Sequence, residues 1–270
     1  MVDLLIHGCK IFYRNQIVEA SVAIDEGRIV KIGKESTMPH AEKKYVFQGK
    51  LMLPGMVDIH VHLRDQELSY KETFETGTMA AATGGVTTVL DMPNNKPVTA
   101  SPRALLERMN VAKNRIYVNV GFYSAFPRDL SEVYEIIKIG AIGFKINLSR
   151  QIGPLNVDDD ETITSFLKIL RDVEIPVSIH AEDRSVISKL EEEYKSSNKN
   201  NYEYFLKAHP PEAEVIAIRR MLNIARNLNI KLHIAHLTTN SGLQLIRENK
   251  KHFTCEVTPH HLLLTEDVIK

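Results

Sequence analysis

Residues 1–53 alternate apolar and polar positions in short runs, DLLIHGCKIFY, IVEASVAIDEGRIVKIG and KKYVFQGKLML, with Asp25-Glu26-Gly27 as a hairpin signal between two of them. This pattern predicts a small β-subdomain. From Pro54-Gly55 onward the pattern changes to apolar, β-branched runs separated by amphipathic segments, as in a parallel sheet built from βα units. The expected strands are 56–63, 86–92, 116–122, 141–148, 175–181, 231–237 and 253–259, and the expected helices are 71–82, 101–113, 129–138, 159–172, 211–228 and 240–249. Ser101-Pro102 and Thr239-Asn240-Ser241 carry helix-start chemistry, whereas 191–205, EEEYKSSNKNNYEYF, reads as a polar surface loop. Seven βα steps fit a doubly wound sheet or a (β/α)8 barrel. No G-x-G-x-x-G follows the first of these strands, so the dinucleotide-binding option loses its main support.

A chain of 270 residues can bury a sizeable core, and 43% hydrophobic with 25% charged residues is ordinary for a folded protein. Lys+Arg 34 cancels Asp+Glu 34, which leaves no electrostatic footprint for nucleic acid or an anionic membrane and points to a small molecule as partner. Two cysteines cannot build a disulfide framework, and Asp3, His7 and Lys10 interrupt the opening stretch where a secretory signal would be apolar. A cytoplasmic, reducing location is expected. No apolar run is long enough to span a bilayer.

Position decides what the histidines mean. In Val57-Asp58-Ile59-His60-Val61-His62 the two-residue period puts Val57, Ile59 and Val61 on one side and Asp58, His60 and His62 on the other. In Ala141-Ile142-Gly143-Phe144-Lys145-Ile146 the same period opposes Lys145 to the apolar Ile142, Phe144 and Ile146. A lone inward ammonium needs a partner or a shifted pKa. Three readings are open for Lys145: an ion pair with an acid such as Asp58, a Schiff-base lysine, or a carbamate that binds metal. His180 and His236 end the fifth and sixth of these strands, and in a barrel all such ends meet at one rim. Four imidazoles suit zinc and related ions, and five protein ligands on one ion leave no open position, so the count favours two divalent ions sharing a bridge, for which a Lys145 carbamate would serve. The Schiff-base reading leaves the histidines unexplained. Glu256 interrupts an apolar strand and either reaches the metal rim or hydrogen-bonds a ligand from behind, and Asp58 is a further candidate for either place. His233 has the opposite parity from His236 and is expected to pack or face solvent, while His7, His40, His209 and His252 fall in loops, helix ends or the small subdomain and receive no role.

Pro54-Gly55-Met56-Val57-Asp58-Ile59-His60-Val61-His62 resembles the P-G-x-x-D-x-H-x-H signature of the amidohydrolase superfamily. Three further strings, His62-Leu63-Arg64-Asp65, Asp91-Met92-Pro93-Asn94 and Cys255-Glu256-Val257-Thr258-Pro259-His260-His261, narrow the resemblance to its dihydroorotase group. The resemblance implies a small β-sandwich over 1–53 and a metal-dependent (β/α)8 barrel over 54–270. It also implies two zinc ions held by His60, His62, Lys145 as carbamate, His180 and His236, and a substrate received by His62, Arg64 and Asn94. The reaction implied is the interconversion of dihydroorotate and N-carbamoyl-L-aspartate in pyrimidine synthesis. A guanidinium beside an amide suits the ring carboxylate of that substrate. The family's proton-carrying aspartate, in an Asp-x-Ala-Pro-His string after an eighth strand, would lie beyond Lys270, so the barrel reads as incomplete at its C-terminal side. Hydantoinase or allantoinase chemistry, and a non-catalytic scaffold, are the alternatives; Arg64 and Asn94 weigh against the first and the retained ligand set against the second. Self-association and association with aspartate carbamoyltransferase are the macromolecular partners the resemblance leaves open.

Overall fold

The computed structural model describes residues 1–269, in two compact units divided after Met56. In the first unit Val2–Tyr13 (β1), Gln16–Asp25 (β2), Arg28–Gly33 (β3), Ala41–Val46 (β4) and Leu51–Met52 (β5) form one sheet in the order β3-β2-β1-β4, with β5 also paired to β1. Arg14-Asn15 and Glu26-Gly27 make the tight turns between β1, β2 and β3, with φ of 47° and 62°, and 48° and 72°. Left-handed backbone at both central residues matches the twist of the flanking strands, and asparagine and glycine accept it most readily. Val2, Leu5 and Ala23 form the small core of this unit.

The remainder alternates strands with helices: Met56–Val61 (β6), Phe74–Thr83 (α1), Val86–Asp91 (β7), Pro102–Ala112 (α2), Asn119–Ala125 (β8), Glu132–Ile139 (α3), Ala141–Asn147 (β9) and Asp160–Arg171 (α4). Val177–His180 (β10), Arg184–Ser196 (α5), Tyr202–Lys207 (α6), Pro211–Leu228 (α7), Leu232–Ile234 (β11), Asn240–Glu248 (α8), Phe253–Cys255 (β12) and Pro259–Leu263 (α9) follow. The seven strands from β6 to β12 stand in sequence order in one sheet, and β7 to β12 pair in parallel. This is the strand arrangement of a (β/α) barrel wall. Between strands and helices lies one continuous core, including Phe126, Phe144, Ile146, Ile163, Leu167, Ile179 and Ile234.

The helix starts follow the capping chemistry of the sequence: Ser101 Oγ accepts from Ala104 N at 3.2 Å and Thr239 Oγ1 accepts from Gly242 N at 2.9 Å. One expectation is corrected. Most of 191–205 is helical rather than loop, α5 running on to Ser196 with a Glu191–Lys195 bond one turn apart at 2.8 Å and α6 beginning at Tyr202. On β6 only Val61 packs against the core, whereas Val57 and Ile59 are 59% and 38% exposed, because this strand is at the end of the sheet order. Among the described residues, no helix is long and apolar enough to cross a membrane.

Candidate metal centre

Lys145 is the most deeply buried member of the predicted set, 4% exposed on β9 beside Ser178 of β10, to whose hydroxyl Nζ donates at 3.3 Å. Its neighbours Phe144 and Ile146 lie in the helix-facing core, so the lysine points to the other side of the sheet. Burial pushes its pKa down to about 7, opposed by the charge of Glu256. Asp58, the partner considered for it, is exposed and instead accepts from the backbone N of His60 at 3.1 Å.

The four predicted histidines gather around this amine. Ring centres lie 5.4 Å apart for His60–His62, 5.4 Å for His60–His236 and 4.7 Å for His180–His236. Nδ1 of His180 and Nε2 of His236 are 3.0 Å apart. Burial, reinforced by nearby Arg64, His60 and Lys145, takes His62 down to about 3. His236 also falls to about 3, through burial and the nearby His180, Lys145 and His60. Burial lowers His60 against the pull of Glu256. Neutral imidazole is the form that binds metal.

Glu256, first residue after β12, closes the ring of groups. It accepts from His60 Nδ1 across the two ends of the sheet, from His233 Nε2 at 3.2 Å and from His236 N at 3.3 Å. Burial alone would raise its pKa, but the His233 and His60 bonds hold it well below the usual carboxylate range. Glu256 also raises Tyr123, pushed up to about 12 chiefly by burial. That ring leaves room for no side chain at position 143, since a Cβ on Gly143 would sit 2.5 Å from Tyr123 Cε1.

The position of His233 corrects its expected exclusion. Leu232 and Ile234 face the core, so His233 faces inward; His236 nevertheless reaches the same interior because its backbone turns left-handed, with φ of 36°. That turn breaks the two-residue alternation between them. Glu182 and His209, also without a predicted role, join the rim: Glu182 accepts from His180 Nε2 at 2.5 Å and from His209 Nδ1 at 2.9 Å. His180, Glu182, His209, His236 and His261 line a cleft of about 430 Å³.

Arg64 and Asn94 come together at the ends of β6 and β7, with Arg64 Nη1 donating to Asn94 O at 3.0 Å. Arg64, Asp65 and Gln66 have φ of 52°, 52° and 51°, three successive left-handed residues other than glycine. Such backbone persists only where its surroundings over-determine it. Here Arg108, 1% exposed, pairs with Asp91 at 2.8 Å, donates to Arg64 O and to Gln66 Oε1, and lies 4.2 Å above the Phe74 ring. Asp91 accepts from Leu63 N at 2.9 Å, and Asp65 accepts from Phe74 N at 2.9 Å while pairing with Arg115 at 3.1 Å.

Among the described residues no group of three or more His, Cys, Asp and Glu side chains is arranged so that it could hold a metal ion as it stands, since His180 bonds to His236 and His60 to Glu256. The donors nevertheless fit divalent cations in kind. Three imidazoles are held toward the neutral form, the buried Nδ1 of His62 has no hydrogen-bond partner, and the lysine has a pKa of about 7.

The strand ends of this parallel barrel wall gather histidines, a buried lysine and carboxylates, donors of the kind that divalent metals take. The chain belongs to the amidohydrolase family, whose model matches residues 51–270. Among curated relatives, the dihydroorotase of Methanosarcina acetivorans is 33% identical over 98% of this chain and 58% of its own length, and that of Pyrococcus abyssi is 36% identical over 98% and 58%. Among solved structures, the L-hydantoinase (dihydropyrimidinase) of Arthrobacter aurescens superposes with a TM-score of 0.89 at 26% identity, covering 99% of this chain and 60% of its own. The chain therefore spans less than two thirds of each.

Proposed function

We propose that the protein opens and closes a cyclic amide, interconverting dihydroorotate and N-carbamoyl-L-aspartate in pyrimidine synthesis in the cytoplasm. His60, His62, His180, His236 and a carboxylated Lys145 would hold two divalent ions, zinc by donor type. When bound, such ions supply Lewis acidity at the ring carbonyl and acidify a water. Lys145 can acquire its carbamate because burial leaves much of its amine unprotonated near neutrality: the nitrogen lone pair adds to the carbon of CO2 and one N–H proton is released. Arg64 and the side chain of Asn94 receive the substrate's carboxylate and ring amide, with His62 beside both. The loop held by Arg108 fixes where the guanidinium stands.

The observation that carries this reading is the buried amine of Lys145 among imidazoles held neutral. Zinc content of the chain after dialysis against bicarbonate and zinc tests it. Two ions per chain are expected, and none in Lys145→Ala. Zinc content no higher in the parent than in a His60→Ala, His180→Ala double variant would overturn it.

The fold likeness to a hydantoinase supports a second reading, hydrolysis of an uncharged cyclic imide. A preference for hydantoin over dihydroorotate would favour it.

A further inference from the structure

Two carboxylates behind the imidazoles are each divided between one histidine of the metal set and one outside it. Glu256 takes His60 Nδ1 on Oε1 and His233 Nε2 on Oε2; Glu182 takes His180 Nε2 on Oε2 and His209 Nδ1 on Oε1. Unrelated parts of the chain build the two arrangements. His233 and Glu256 meet because β11 and β12 are paired in register, His233 opposite Thr254, whose hydroxyl faces His233 Nδ1 at 2.9 Å. Glu182 and His209 meet because Asp183 N, at the cap of α5, donates to Ala213 O in the first turn of α7 at 2.9 Å.

An ionised carboxylate has only lone pairs to offer, so each ring nitrogen facing it must carry the hydrogen. That leaves the lone pair of a neutral His60 on Nε2 and that of a neutral His180 on Nδ1. A carboxylate held by one ring could rotate and release this preference; with its second oxygen taken, it has one orientation. We propose that His209 and His233 are positioning residues that lock Glu182 and Glu256, and through them present Nδ1 of His180 and Nε2 of His60 to a divalent cation. The inference rests on the metal reading above.

The test uses the full chain labelled with 15N-histidine. Two-bond 1H–15N spectra of the metal-free protein report each ring's tautomer, and competition with a chromophoric chelator reports zinc affinity. His209→Leu and His233→Leu remove the donor; His209→Asn and His233→Gln keep an N–H at the position of Nδ1 and Nε2. Each Leu variant should lose the single tautomer at its own metal-set ring and weaken zinc about 10- to 100-fold, the usual effect of losing a partner behind a ligand, while Asn and Gln restore both. Parent-like tautomers and affinity in the Leu variants would overturn the proposal, as would Asn and Gln variants as impaired as Leu. Should a Leu variant fail to fold, its amide counterpart decides by keeping or losing the tautomer. A parent that binds no zinc would refute the metal reading alone, because the metal-free spectra still report the positioning.

Discussion

On the side built by β6 and β7, Arg64 is held through full charges: Arg108 against Asp91, Arg115 against Asp65, and a strained three-residue loop between them. Opposite, on β9 to β12, burial drives the His236 imidazole toward its neutral form and the Lys145 amine well below its ordinary pKa, beside the carboxylates of Glu182 and Glu256. The first side is finished before any ligand arrives, since every buried charge already has its partner. The second presents lone pairs and leaves positive charge to be supplied. The site proposed above, with an anion at one end and cations at the other, would use this division.

Substitution should expose the contrast. Arg108→Leu strands Asp91 in the interior and should cost about 3–5 kcal/mol in urea unfolding, whereas Lys145→Met, which removes a lone buried amine, should leave folding stability undiminished while abolishing zinc binding. A small loss for Arg108→Leu, or a large one for Lys145→Met, would erase the distinction between the two sides. Next in size, Arg64→Met should weaken dihydroorotate binding by about 1.5–3 kcal/mol, the range for a hydrogen bond to a charged group, with little change for an uncharged cyclic imide. Equal losses on both would make Arg64 structural. Thr239→Ala removes the cap of α8, just beyond His236, and should cost about 1 kcal/mol in the same unfolding assay.

The smallest effect concerns Arg115→Met. Arg115 is 40% exposed, so its pair with Asp65 should contribute roughly 0.2–1 kcal/mol. Burial would raise the Asp65 pKa, but backbone N–H groups of Phe74 and Gln66 together with Arg115 bring it below the ordinary value. A depressed folded-state pKa gives stability that is complete above the unfolded value of about 3.9. The Arg115→Met loss should therefore be full at pH 7 and shrink as pH falls through the lowered folded-state value. A loss that grew toward acid would contradict an ionised Asp65.

Much of this was legible in the chain. The two-residue period gave the inward side of β6 and β9, and the strand ends gave His60, His62, His180 and His236. What escaped is what periodicity cannot carry. The left-handed turn at His236 put two histidines of opposite parity in one interior. Glu182 and His209 meet through a backbone bond between α5 and α7 that leaves no mark in local pattern. Arg108 did leave one: with Leu105 and Ala112 it lies on the buried face of α2, where an arginine in an apolar stripe signals a waiting carboxylate.

The bond between His60 and Glu256 joins residues 196 positions apart. Its entropy cost is modest, since each doubling of loop length adds only about 0.6 kcal/mol, but its timing is severe. Strands β7 to β11 stand between the two partners in the sheet order, so this contact is expected to form late in folding. The two ends of the sheet thus become a clock for the centre: a chain still short of its final strand pairing would lack the bond that orients His60.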